Sequence, residues 1–391
     1  MKVLLAGEFS GVHNHLKRGL AYHGVQAVTM NTNDAWKKFP SDIAINSRAR
    51  FPFKQFSDEL GLGLIKYARN CERFDVLQLM NPVITNTLRL QLAVNNIFLH
   101  KCALRNLVSK ADKSFLLGAG DDYFYFKAAL EGLFAYSPVP TALKLDMPPW
   151  RRIYSQAWTR KVLHRWNLEL VDRVDRVIPC AYEYGIAYEA AGLTKATRMI
   201  RFPFSLDETP FNPRPRGGKV RVLHTPTRPG FKGTALVLAA FERLRMKRPD
   251  VDFIVGTQQN LANYQKTIDS VDIIVDQVYS YSYAMNAIYS LASGKVVLTG
   301  FEKEARQYLG VEDCPAILNV KPDVDDIVRK LELAIETVRS DPEVPGKARA
   351  FVERYHCANK IAAEYLAVWK ATPVRSGAKV PTRIDSSRLL G

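Results

Sequence analysis

The 391-residue sequence has no run of 18 apolar residues, and it opens on an apolar strand, Met1-Lys2-Val3-Leu4-Leu5-Ala6-Gly7, with neither a charged leader nor a cleavage site. A membrane span and a secretory signal are therefore not expected, and the chain reads as cytoplasmic. The five cysteines, Cys71, Cys102, Cys180, Cys314 and Cys357, form no C-x-x-C pair, and the seven histidines lack ligand spacing. That argues against a zinc motif and a disulfide framework, so the thiols are expected to be reduced core residues and no metal is implied. A full G-x-G-x-x-G is also missing: the first glycine turn is Gly7-Glu8-Phe9-Ser10-Gly11. A dinucleotide site is disfavoured, and no cofactor is expected.

What is present is an alternation of short apolar strands with helical segments. Residues 1–7 and 25–30 flank a helix over 13–23, and residues 74–80, 114–120 and 171–178 read as further strands. A stretch rich in proline and glycine, residues 212–219, marks a boundary. Beyond it, Arg221-Val222-Leu223-His224 is a strand, residues 225–234 a basic turn, and about 235–246 a helix. Residues 251–256, 271–277 and 296–299 are strands separated by helices over 261–270 and 284–293. This is the pattern of an α/β protein with parallel sheets, whose ligands bind at the carboxyl ends of strands. The length, with 47% apolar residues, suits two cores.

The turn after the 221–224 strand carries Arg228 and Lys232 beside Gly233 and Thr234, next to the start of a helix. Free N–H groups and the helix dipole there, with two cations, suit a diphosphate. A solvated basic loop is the alternative for the turn taken alone. Asp121 and Asp122 follow the 114–120 strand, where they could position acceptor hydroxyls, act as a base, or cap the helix after Tyr123. His13, near the first glycine loop, is the one histidine with a candidate role.

The run His224-Thr225-Pro226-Thr227-Arg228 through Lys232-Gly233-Thr234, then residues 271–277, then Ala292-Ser293-Gly294-Lys295-Val296-Val297, resembles the donor domain of GT-B glycosyltransferases of the GT4-like group. The resemblance implies two Rossmann-like domains facing a cleft. It implies an acceptor-side domain over 1–212, a linker over 213–219, a nucleotide-sugar domain over 220–347 and a terminal helix over 348–370 crossing back; residues 371–391, short of large apolar residues and carrying Pro373, Ser376, Gly377, Pro381 and several cations, are expected to be a disordered tail. It implies transfer of a hexosyl group from a nucleotide sugar to a lipid-linked or polysaccharide acceptor, retaining and independent of metal. By motif position Arg228 and Lys232 hold the diphosphate, with Gly233 and Thr234 beside them as further candidates, and Asp121 and His13 are the catalytic candidates. Gly7, Glu8 and Gly11 form the acceptor-side loop. The two glutamates that the family places with seven residues between them are replaced, by register, with Tyr281 and Tyr289. Neither accepts hydrogen bonds from a ribose diol as a carboxylate does, so Asp276, Ser282 and Asn286 are the substitute contacts for the nucleoside or sugar. Closure of the cleft on donor binding is expected.

The formal charge is +16. Residues 144–165 interleave Lys144, Arg151, Arg152, Arg160, Lys161 and Arg165 with Met147, Trp150, Ile153, Tyr154, Trp158 and Leu163, and Trp166 follows. This suits an anionic membrane surface, single-stranded nucleic acid, or a packed helix with a solvated basic side. A transferase acting on modified DNA and a non-catalytic GT-B-like binding protein are the alternative functions.

Overall fold

The computed structural model describes the chain apart from residues 33–36, 46–57, 59, 85–96, 141–155, 160, 227, 258 and 375–391. The described elements of the first half are β1 (Lys2–Ala6), α1 (Val12–Tyr22), β2 (Gln26–Asn31), β3 (Ile43–Ala44), α2 (Leu62–Asn70), β4 (Phe74–Leu79), α3 (Phe98–Ser109), β5 (Ala111–Gly118), α4 (Tyr123–Leu130), α5 (Lys161–Arg173), β6 (Arg176–Pro179) and α6 (Tyr182–Ala190). The second half runs β7 (Val220–His224), α7 (Pro229–Lys232), α8 (Thr234–Arg245), β8 (Val251–Val255), α9 (Leu261–Asp269), β9 (Ile273–Val275), α10 (Met285–Ala292), β10 (Val296–Thr299), α11 (Lys303–Leu309), β11 (Ile317–Asn319), α12 (Val324–Ser340), α13 (Val344–Tyr355) and α14 (Ala358–Ala371).

The strands build two wholly parallel sheets, ordered β3-β2-β1-β4-β5-β6 and β11-β10-β9-β7-β8. Central strands such as β1, β9 and β10 are buried almost throughout, as parallel strands covered by helices on both faces must be. In each sheet the strand order reverses once, between β1 and β4 in the first and between β7 and β9 in the second. Neighbouring connections leave a reversal point in opposite directions, so a crevice opens at the carboxyl ends of those strands. Residues Gly7, Glu8 and Asn81 follow β1 and β4; Thr225 and Asp276 follow β7 and β9.

Two expectations are corrected. The 171–178 segment is not one strand: α5 continues to Arg173, and β6 starts only at Arg176. Leu170, Val171 and Val174 are all buried at helical spacing, which carries the helix through the stretch that alternation suggested as β. The terminal segment is two helices, broken at His356 and Cys357. There the chain is tied to residues 202–204: the His356 Nδ1 lies 2.8 Å from the Phe202 carbonyl, and the Phe204 N–H donates to the His356 carbonyl at 2.7 Å. After the break, α14 packs on α1, an approach that requires Gly19, because a Cβ there would stand 2.1 Å from the Ala358 carbonyl oxygen.

Of the three readings of the basic aromatic segment, the packed helix is the one that the described residues fit. Trp158 and Trp166 are fully buried, and the Trp166 indole N–H donates to the Pro82 carbonyl at 2.8 Å. Indoles held in the core by packing are not available as membrane-interface anchors or as stacking platforms for bases. Arg165 is exposed. Lys144, Met147, Trp150, Arg151, Arg152, Ile153, Tyr154 and Arg160 lie outside the described residues. Among the described residues no helix is long and apolar enough to cross a membrane.

Candidate functional site

The crevice at β7 and β9 is where the sequence-predicted cations gather. Arg228 to Lys232 is not an open turn: Pro229 starts the four-residue α7, and Gly233 closes it in the left-handed region (φ 70°) before α8 begins. Only glycine fits there, because a Cβ would fall 2.2 Å from Val278 Cγ2 and against the Tyr279 ring. Lys232 Nζ lies 2.6 Å from Asp276 Oδ1, whose residue is 1% exposed. The same oxygen accepts from Asn286 Nδ2 at 2.7 Å, and the Asn286 carbonyl accepts from the Tyr264 hydroxyl. Asp276 Oδ2 is buried with no hydrogen-bond partner among the described residues.

Next to this cluster lies His224, the last residue of β7 and the first of the run that carries the family resemblance, to which the sequence assigned no role in the site. Its Nδ1 is 2.8 Å from the Val275 carbonyl and its Nε2 2.9 Å from Thr234 Oγ1. A carbonyl only accepts, so Nδ1 carries the proton and Nε2 accepts from the Thr234 hydroxyl. Burial lowers the His224 pKa to about 4, which keeps the ring neutral. The Thr234 hydroxyl proton is thus committed to His224.

The first sheet contributes two carboxylates. Asp121 faces Arg228 in a bidentate pair, 2.8 and 3.2 Å between oxygens and guanidinium nitrogens, and the guanidinium lies 3.4 Å from the Phe231 ring centroid. Asp122, not Asp121, caps α4: its side chain accepts from the Tyr125 N–H at 2.7 Å and from the Tyr188 hydroxyl at 2.5 Å. Burial raises the Asp122 pKa to about 6 against the opposing effect of those bonds. Glu183, in the first turn of α6, accepts from the N–H groups of Tyr281 and Ser282 at 2.9 and 3.0 Å and from the Ser282 hydroxyl. In the sequence Glu183 reads as an ordinary acid near a helix start, and no local signal marks its partners nearly a hundred residues away.

The tyrosines that replace the family glutamates are not at the crevice floor. Tyr281 is stacked between Tyr136 and Tyr182, with centroids at 4.7 and 5.7 Å and planes within 25°, and its hydroxyl accepts from the Ala135 N–H at 2.9 Å. Tyr289 sits between the two halves, edge-on to Phe204, with its hydroxyl 2.8 Å from His15 Nε2. Since the Ser205 N–H donates to His15 Nδ1 at 3.1 Å, Nε2 carries the proton and donates to Tyr289. Burial lowers the His15 pKa to about 3. Both tyrosines, and Ser282 with them, join the halves instead of lining a nucleoside pocket.

The first glycine loop is likewise internal. His13 is fully buried, with Nδ1 2.7 Å from the Gly7 carbonyl and Nε2 3.4 Å from Gln78 Nε2; burial lowers its pKa to about 4. Neither nitrogen faces the cleft, so a role as base is corrected to a brace for the loop. Glu8 accepts from the His13 and Asn14 N–H groups at 3.4 and 3.0 Å, donors that the start of α1 leaves open, and from the Asn14 side-chain amide at 2.7 Å. Gly11 (φ 88°) makes room for the C-terminal half, not for a sugar: a Cβ there would meet the Tyr289 hydroxyl and Phe39, each at 2.8 Å. Gly7 (φ 90°) similarly admits Met80 and Ile84.

The site that remains is compact: Arg228, Lys232, Asp276, Asn286 and Tyr264 on the second sheet, with Asp121 opposite. Cations at a strand-end crevice stabilise developing negative charge on a departing group, and a carboxylate opposite them orients a hydroxyl.

No protein family profile matches the chain, and no curated protein matches it. Solved structures do. The sucrose-phosphate synthase of Thermosynechococcus elongatus is 13% identical, with 94% of this chain and 98% of that one covered at a TM-score of 0.58. HepE of Anabaena in complex with UDP-glucose is 13% identical, covering 94% and 100% at 0.54. The UDP-GlcNAc 2-epimerase of Neisseria meningitidis bound to UDP-GlcNAc is 11% identical, covering 95% and 100% at 0.51. The chain has the GT-B fold, as the sequence resemblance implied.

Proposed function

We propose that the chain is a glycosyltransferase that moves a hexosyl group from a nucleoside diphosphate sugar to a lipid-linked or polysaccharide acceptor on the cytoplasmic side. The observation that carries this reading is the placement of Arg228 and Lys232 at the reversal point of the second sheet, with Asp121 across from them. Arg228 and Lys232 bind the donor diphosphate. As the C1–O bond breaks, its electron pair stays on the diphosphate oxygen, and the two cations neutralise the charge that grows there. The acceptor hydroxyl, oriented by Asp121, forms the new bond to C1 and gives its proton to the departing diphosphate, on the same face, with retention. Asp276, held by Lys232 and Asn286, supplies the carboxylate that the family takes from a glutamate, and its unused Oδ2 is the acceptor for a donor hydroxyl.

The solved relatives named above include proteins captured with UDP-glucose and UDP-GlcNAc, which puts uridine nucleotides first in any trial. The overall charge of +16 supports a peripheral acceptor on an anionic surface. Calorimetry across UDP, GDP, ADP and CMP sugars, followed by product analysis, tests the reading. Binding of one diphosphate sugar with transfer to an added glycan or lipid acceptor sustains it. Conversion of the donor to its 2-epimer without transfer, or no binding across the panel, overturns it.

A further inference from the structure

Two anion-accepting features of the second half are filled by carboxylates of the first. Asp121 sits bidentate on Arg228, and Glu183 takes two backbone N–H groups and a hydroxyl from Tyr281 and Ser282. Both are more than nine-tenths buried, at 6% and 7% exposure, whereas the Arg228 side chain keeps 37% of its surface in solvent. A ligand can therefore reach Arg228 from outside while its carboxylate partner stays behind it.

Resting on the proposed donor site, we propose that Asp121 is an internal competitor for Arg228: its carboxylate occupies the guanidinium until a nucleoside diphosphate displaces it. A guanidinium offers carboxylate and phosphate the same fork of parallel N–H donors, so the two anions contend for one face. Displacement does two things at once. It costs the ligand the strength of the existing pair, and it frees the Asp121 carboxylate for the acceptor hydroxyl only when donor is bound. Water arriving in the empty site then finds Asp121 already engaged. Glu183 does not take part in the exchange, because its partners are backbone groups of a loop stacked into the Tyr136, Tyr281 and Tyr182 column.

The proposal sets a direction that a merely structural ion pair does not. Asp121→Asn keeps the size of the side chain and removes the charge, and Asp121→Ala removes the competing oxygens. Both variants should bind UDP more tightly than wild type by roughly fivefold, the scale of a partly exposed ion pair, with uridine, which has no phosphate, unchanged. Both should also lose transfer. Modification of Arg228 by phenylglyoxal, followed by mass spectrometry without any nucleotide, should be faster in both variants. UDP binding equal to or weaker than wild type in folded variants overturns the proposal. If no nucleotide binds to any form, the donor reading fails, and the modification rate still decides: acceleration sustains the masking of Arg228, and an unchanged rate rejects it.

Discussion

The His15 Nε2 and the Tyr289 hydroxyl meet at 2.8 Å across 274 positions of sequence, joining α1 of the first half to α10 of the second. The bond is buried and flanked by Phe204, so it behaves as part of a core and not as a ligand contact. Tyr289→Phe should cost about 1 kcal/mol, the net worth of a buried hydrogen bond. Tyr289→Glu, which restores the residue type that the family resemblance expects, should cost more, about 3 kcal/mol or above, because it buries a charge against a neutral imidazole. Denaturant unfolding measures both. A Tyr289→Glu chain as stable as wild type, with improved nucleotide binding, would return Tyr289 to the donor site.

Glu183 ties the loop over 280–283 to α6 through three hydrogen bonds. Glu183→Ala strips two backbone N–H groups of their acceptor, and a cost of about 1–3 kcal/mol is expected. The halves should also loosen, since the loop is their shared wall. Solution scattering should then show a larger radius of gyration than wild type, and an unchanged radius with unchanged stability would deny Glu183 its interdomain role.

Five histidines, His13, His15, His100, His224 and His356, are buried with pKa values lowered to between about 3 and 4 by desolvation. In the unfolded chain they titrate near the ordinary 6.5. Below that pH the unfolded state binds protons that the folded state refuses, so stability falls as pH drops from about 6.5 towards 4, and the loss levels off below the folded values. Thermal unfolding from pH 7.5 to 4.5 should show a steep decline in Tm beginning near pH 6.5. A flat profile over that window would mean that these rings are solvated.

Much of the fold is legible in the sequence because parallel strands buried on both faces write themselves as short apolar runs. Residues 296–299, bounded by Lys295 and Gly300, are an example. The cation pair is legible for a similar reason: Pro229 directly follows Arg228 and Gly233 directly follows Lys232, in a turn that only certain residues can form. Other features depend on partners far along the chain. Nothing near Glu183 foretells Tyr281 and Ser282, and nothing near Gly11 foretells that the space it leaves is taken by Tyr289. The break at His356 was invisible because apolar spacing continues through it, and the reason for it lies in Phe202 and Phe204. The residues after 374 stand outside the described part of the chain.

Gly233 combines both kinds of constraint. Gly233→Ala would place a Cβ 2.2 Å from Val278 Cγ2 on a backbone at φ 70°. A loss of about 2–4 kcal/mol is expected from left-handed strain plus overpacking, with nucleotide binding weakened as α7 shifts Lys232. Unfolding and calorimetry on the same variant check the two effects. A stable Ala variant would show that the α7 to α8 corner relaxes freely.

The central claim is that Arg228 and Lys232 form the donor diphosphate site. Calorimetry of UDP, GDP and ADP on wild type and on Arg228→Ala, Lys232→Ala and the double variant tests it most directly, with far-ultraviolet circular dichroism confirming the fold. Lys232→Ala should weaken binding of the preferred nucleotide by about 1.5–3 kcal/mol, the scale of a hydrogen bond to a charged group. Arg228→Ala should weaken it on the same scale, since each cation is already paired with a carboxylate, Arg228 with Asp121 and Lys232 with Asp276, and the double variant should lose most. Wild-type affinity in a folded double variant would contradict the account.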